Sequence, residues 1–155
     1  MTTSATTESM RRPPTIIQGG MGVAVSSWQL ARAVSTRGHL GVVSGTALDV
    51  VYARRLQDGD QGGHVRRALA AFPLPALAQR VLDTYYLPDG RPAGRLYRAV
   101  PMFTLQPAVA LQELTVVANF CEVWLAKEGH DGVVGINYLR KIELPLPCAC
   151  YGAML

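Results

Sequence analysis

Thr15-Ile16-Ile17-Gln18, the adjoining Gly19-Gly20-Met21-Gly22 and, further on, Leu40-Gly41-Val42-Val43-Ser44 are the stretches whose reading decides the fold. Pro13-Pro14 bars a helix from running into the first of them, and a short apolar run bounded by glycines reads as a buried strand. Glycine at 19, 20 and 22 lets the backbone take unusual dihedrals and approach a ligand with no Cβ in the way. A helix is then signposted. Ser26 and Gln29 have capping-box spacing, Val25 and Leu30 have the spacing of a hydrophobic staple, and Trp28, Ala31 and Val34 form an apolar stripe that Gly38 closes. Leu40 to Ser44 is a second buried strand, running into Gly45-Thr46. Strand, helix and strand within about 30 residues make a βαβ unit, which is parallel and right-handed. The architecture expected is α/β.

Beyond Thr46 the period changes. Helices are predicted over Ala47–Gln57, with Thr46 and Asp49 at its start, Val65–Phe72 and Ala76–Tyr86, the last two separated by Pro73 and Pro75. Asp58 to Gly63 reads as a loop and Val100 to Thr104 as a short strand. Pro107 stands where the first turn of a long helix ending near Glu128 would tolerate it, with Gly129 beyond. Residues 46–131 are thus too long for a plain loop and read as a helical insertion between strands 2 and 3. Val133-Val134-Gly135-Ile136 is the third strand, delivering Asn137 at its end. After the proline-interrupted Leu144–Pro147, Tyr151–Leu155 reads as the first turn of a further helix with no closing signal, so the chain is expected to be the N-terminal portion of something larger.

Composition narrows the class. Of 155 residues, 49% are apolar and 17% charged, which excludes a disordered or collagenous chain and falls below the roughly 25% charge usual for soluble domains. Residues 1–110 carry 12 basic and 6 acidic groups, and 111–155 carry 3 and 5. Arg54-Arg55 and Arg66-Arg67 lie on predicted helices without interleaved aromatics, so they read as solvated faces and no nucleic-acid partner is expected. Residues 1–12 are polar and lack the apolar core of a signal peptide, reading as a disordered tail. Leu114–Ala126 contains Asn119 and Glu122 and is too short and polar to span a bilayer, so no membrane partner is expected. A cytoplasmic, reducing location follows, with Cys121, Cys148 and Cys150 as free thiols.

Most motif matches fail on chemistry. Gly20-Met21-Gly22 begins a dinucleotide fingerprint, but Val25 stands where its third glycine belongs and no acidic residue closes a second strand. Asp58, Asp60 and Gly62 echo a calcium loop whose bidentate carboxylate position is Leu69. Cys148-Ala149-Cys150 lacks a second ligand pair, so no metal is expected. His130 reads as a helix-end cap. What remains is positional: in a parallel α/β barrel the carboxyl ends of the strands form the site. Here those ends carry Gly19–Gly22, Ser44-Gly45-Thr46 and Asn137-Tyr138, backbone N–H groups and an amide that suit the edge of a planar heteroaromatic ring. Tight βα turns would use the same glycines.

Ile16–Gly22, the helix Trp28–Gly38, Gly41-Val42-Val43-Ser44-Gly45 and Gly135-Ile136-Asn137-Tyr138-Leu139 together resemble the N-terminal part of the nitronate monooxygenase (2-nitropropane dioxygenase) family. The likeness runs closest to the branch with trans-acting enoyl reductases of polyunsaturated fatty acid and polyketide synthases. It covers roughly residues 13–155. It implies an FMN-binding TIM (β/α)8 barrel, a flavoprotein oxidoreductase in which Gly20, Met21 and Gly22 pass beside the flavin ring and Asn137 hydrogen-bonds it. The implied reaction is oxidation of an alkyl nitronate with O2 to a carbonyl and nitrite, or, in the other branch, hydride transfer to an acyl double bond. The family's catalytic His and its phosphate loops match nothing here and are expected beyond residue 155, so no catalytic residue is assigned. A third expectation, of another class, is a non-catalytic remnant that needs a partner, or a second copy, to cover its open edge. Since such a barrel needs about 250 residues and three strands are legible, a partial barrel is predicted, inactive alone and without tight FMN binding.

Overall fold

The computed structural model describes residues 13–155, and the tail predicted over 1–12 lies outside the described residues. Three parallel strands, β1 (Ile17–Gln18), β2 (Leu40–Ser44) and β3 (Val134–Asn137), form one sheet in the order β1-β2-β3. Ile17 pairs with Leu40, and Gly41 to Ser44 pair in register with Val134 to Asn137. Helix α1 (Trp28–Ser35) connects the first two strands; α2 (Leu48–Gln57), α3 (His64–Ala70), α4 (Pro75–Tyr85) and α5 (Val109–Lys127) lie between the second and third; α6 (Leu146–Met154) follows. The α/β class and the helical insertion between strands 2 and 3 are therefore observed.

Alternation along β2 sorts the two faces of the sheet. Val43 packs with Ala31 of α1, Ala126 of α5 and half-buried Trp28, Val134 and Ile136, so this face is covered by helices. Gly41 lies so close to the Ala31 backbone that no side chain fits between α1 and the strand. Val42 and Asn137 sit on the other face, against Gly20. The larger core lies in the insertion, where Leu48, Tyr52 and Leu56 of α2, Val65 and Leu69 of α3 and Val81 of α4 close on Leu114, Val117, Phe120 and Leu125 of α5. Phe72 meets Phe120 edge-on at 5.0 Å.

Helix α5 is longer than the apolar stretch read from the sequence. Among the described residues it is the one helix long and apolar enough to cross a membrane, yet 61% of that window is buried inside the protein. It is the central packing helix. Gly152 of α6 rests on the Val116 backbone, which brings the two helices close along their length.

Several local expectations are corrected. The helix α1 cap is not a capping box: Ser27 precedes the helix with no side-chain bond, and the Trp28 N–H donates instead to Glu122 Oε1 of α5 at 2.6 Å. Val25 and Leu30 remain exposed, so no staple forms. Val100–Thr104 takes no regular secondary structure and joins no sheet. Gln57 holds the residues just before it, accepting from Arg98 N at 2.6 Å and donating to Arg98 O at 3.3 Å, and so takes the place of a neighbouring strand. Helix α6 starts at Leu146, five residues before the predicted turn, because Pro145 and Pro147 fall where a first turn needs no N–H.

Candidate functional site

Gly20, Met21 and Gly22 leave β1 as a loop whose shape is set by two polar side chains inside an apolar segment. Ser26 is buried, its Oγ accepting from Met21 N at 2.9 Å and donating to Gly19 O at 3.0 Å. The Ser44 N–H donates to Ser26 O at 2.9 Å, which ties the loop to the end of β2. Gln18 spans the strands, its Oε1 accepting from Val42 N at 3.1 Å and its Nε2 donating to Val42 O at 3.2 Å. These bonds lace the glycine loop onto the sheet.

The loop meets β3 at its carboxyl end. Asn137 Nδ2 donates to Gly20 O at 2.6 Å. A Cβ on Gly20 would stand 2.5 Å from Val43 O and 2.9 Å from Asn137 Cβ, so glycine is demanded there by the protein's own packing. Gly22 has φ +66°, the left-handed region that favours glycine. Met21 is 68% exposed and Asn137 is exposed too, its Oδ1 accepting no hydrogen bond among the described residues.

Gly20 and Asn137, 117 positions apart in the chain, are thus in contact, and Met21 and Gly22 lie on the adjoining rim. This arrangement places an amide beside bare backbone at the carboxyl ends of two strands, and none of the four residues is charged.

A half-open cavity of about 390 Å³ lies beside this junction. Its walls are the β2–α2 turn at Gly45–Ala47 with the first residues of α2, the irregular Val100–Phe103 segment, the residues after β3 and parts of α5 and α6. Gly45 N donates to Asn137 O at 2.9 Å and the Gly45 Cα is covered by the Tyr138 ring, joining cavity and glycine loop through one backbone link. The Tyr138 hydroxyl lies 2.8 Å from Ala149 O and 3.1 Å from Asn119 Oδ1. Burial pushes the Tyr138 phenol well above its ordinary range.

Other candidates resolve into structural roles. The Asp60 carboxylate is buried and accepts from Val65 N and Arg66 N, both at 2.9 Å, so it caps α3. His130 Nε2 sits 2.7 Å from Ala126 O, and its Nδ1 accepts from Gly132 N at 3.2 Å, the helix-end role expected. Cys121 is buried, Cys148 half-buried and Cys150 exposed, all three unpaired. Among the described residues no group of three or more His, Cys, Asp and Glu could hold a metal ion.

Sequence reasoning missed Gln18, Ser26 and Glu122. Each is a polar residue inside or beside an apolar run, and that position was the available signal. Glu122 accepts from Tyr52 Oη at 2.7 Å and Arg55 Nη1 at 3.0 Å as well as from Trp28 N, joining α1, α2 and α5. Compared with family models, curated proteins and solved structures, the chain matches none.

Proposed function

We propose that this chain is the flavin-facing N-terminal part of an FMN-dependent oxidoreductase of the nitronate monooxygenase kind, built on a TIM barrel. The observation that carries the reading is the bond from Asn137 Nδ2 to Gly20 O, which sets an amide and a glycine-lined backbone rim side by side at the carboxyl ends of β3 and β1. In open and closed parallel sheets alike, that end is where ligands bind. Met21 and Gly22 would line the site of the ring, and Asn137 would offer its free amide oxygen to it. The flavin supplies the redox chemistry when bound. The chain's residues orient the ring and keep its edge in hydrogen-bonding register.

The substrate in this reading is an alkyl nitronate with O2 as oxidant, and the setting is cytoplasmic. Enoyl reduction of an acyl substrate uses the same ring-facing residues. A non-catalytic half-domain is favoured by one separate observation: Ile16 and Ile17 at the edge strand β1, and Met21, Val23 and Val25 in the loop that follows it, are exposed. An edge of that kind calls for a covering strand, from a second copy or another chain.

The test is flavin binding by the 155-residue chain and its Asn137→Ala variant, followed by quenching of flavin fluorescence. Weak, saturable binding that falls about tenfold in the variant supports the site. Equal binding by both chains removes Asn137 from it, and a stoichiometrically yellow preparation contradicts the expectation of weak binding.

A further inference from the structure

We infer that the 390 Å³ cavity between α5, α6 and the Val100–Phe103 segment is a binding site for an uncharged, hydrocarbon-rich small molecule. The inference does not rest on the flavin reading. Its volume falls in the range of about 300–1,000 Å³ typical of small-molecule sites, and its walls are mainly apolar.

The polar side chains at its floor bond chiefly to backbone carbonyls, with the one Tyr138 O–H shared between two acceptors. Thr115 Oγ1 donates to Leu111 O at 2.8 Å, Asn119 Nδ2 donates to Thr115 O at 2.8 Å, and the Tyr138 hydroxyl reaches Ala149 O and Asn119 Oδ1. Thr115 and Asn119 are 2% and 1% exposed. The deepest polar groups are thus turned mainly toward the chain's own backbone, and a mainly apolar cavity of this kind favours apolar guests over water. The charges in its lining, Asp49 and Glu143 against Lys141, sum to one negative. Burial raises the Asp49 carboxyl above its ordinary range, so a further negative charge there is disfavoured. An anionic guest is therefore opposed, while an alcohol or aromatic ring meets mainly apolar wall. Met102, one of the lining residues, is 89% exposed, so the cavity is open to solvent there.

The experiment is a fluorescence titration of the whole chain with the neutral probe N-phenyl-1-naphthylamine, competed with 1-decanol, decanoate and decylamine. Saturable binding displaced by decanol at concentrations at least tenfold below those of the two charged competitors is expected. Leu139→Trp and Leu144→Trp, which fill the cavity from half-exposed positions, should weaken probe binding at least tenfold, and Ile17→Lys, on the distant β1 edge, should leave it unchanged. Preferential displacement by either ion, unchanged binding in both tryptophan variants, or loss on Ile17→Lys would overturn the inference. Should the tryptophan variants fail to fold, nuclear Overhauser contacts between decanol and the methyls of Thr115 and Ala149 in the unmodified chain decide: their presence supports the site and their absence at saturation refutes it.

Discussion

Removing the Glu122 carboxylate tests how the α/β layer is fastened to the helical insertion. Glu122 is 1% exposed and accepts three hydrogen bonds, from the Trp28 backbone at 2.6 Å, Tyr52 at 2.7 Å and Arg55 at 3.0 Å. Bonds to a charged group contribute about 1.5–3 kcal/mol each, but three donors sharing one acceptor are not additive. Deleting one partner of a buried ion pair costs about 3–5 kcal/mol, because the remaining groups are left desolvated and unpaired. Glu122→Ala should therefore destabilise the chain by about 3–5 kcal/mol. At roughly 2–4 °C per kcal/mol for a domain of this size, the midpoint falls by roughly 6–20 °C. Tyr52→Phe, which removes one donor and keeps the ring, should cost about 1–2 kcal/mol. In the combined variant the two losses should not add. Urea unfolding followed by far-ultraviolet circular dichroism measures all three. A Glu122→Ala loss below about 1 kcal/mol, or full additivity with Tyr52→Phe, would refute the shared-acceptor account.

Gly20→Ala sets a methyl 2.5 Å from Val43 O and should cost about 1–3 kcal/mol in the same unfolding assay, whether or not flavin is present. Asp60→Ala uncaps α3 and should lose about 1–2 kcal/mol, with Asp60→Asn recovering part of it. Alkaline pH should unfold the chain. Burial first, and the Glu122 charge second, push Tyr52 and Cys121 above their ordinary values of 10.0 and 9.0. Both stay protonated in the folded chain while the unfolded chain ionises, so the folded state binds more protons and stability falls as pH rises. The decline should begin above pH 9 with Cys121 and steepen above pH 10 with Tyr52, approaching about 1.4 kcal/mol per pH unit for each group. Chemical denaturation across pH 8–11, a range spanning those two ordinary values, checks it, and a flat profile would contradict the assigned burial.

What was legible followed from local chemistry. Leu40–Ser44 carries no charge and is mostly apolar because it is buried along most of its length, and such a short run between Gly38 and Gly45 reads as a central strand without any knowledge of its neighbours. Gly129 past α5 and the prolines before α4 likewise mark ends that depend on the backbone alone. The misread features depend on partners far away in the chain. Ser26 has capping-box spacing, but its hydroxyl is taken by Met21 and Gly19, and the α1 N-terminus is served by a carboxylate 94 positions later. Val100–Thr104 has strand-like composition, yet it joins no sheet, and Val100–Phe103 line a cavity instead. For the candidate site, the glycines and Asn137 were visible as strand-end residues; their contact was not, because sequence order places the whole insertion between them. The cavity was wholly illegible, being assembled from five separate segments.

The Gly20–Gly22 rim and Asn137 are proposed to form one flavin-facing site. The most direct measurement is the amide NMR spectrum of the chain during titration with FMN. The account predicts saturable shifts confined to Gly20, Met21, Gly22, Asn137 and their immediate neighbours, with the Asn137 side-chain amide among them. Saturation with those signals unmoved, or shifts clustered at another part of the molecule, would contradict it.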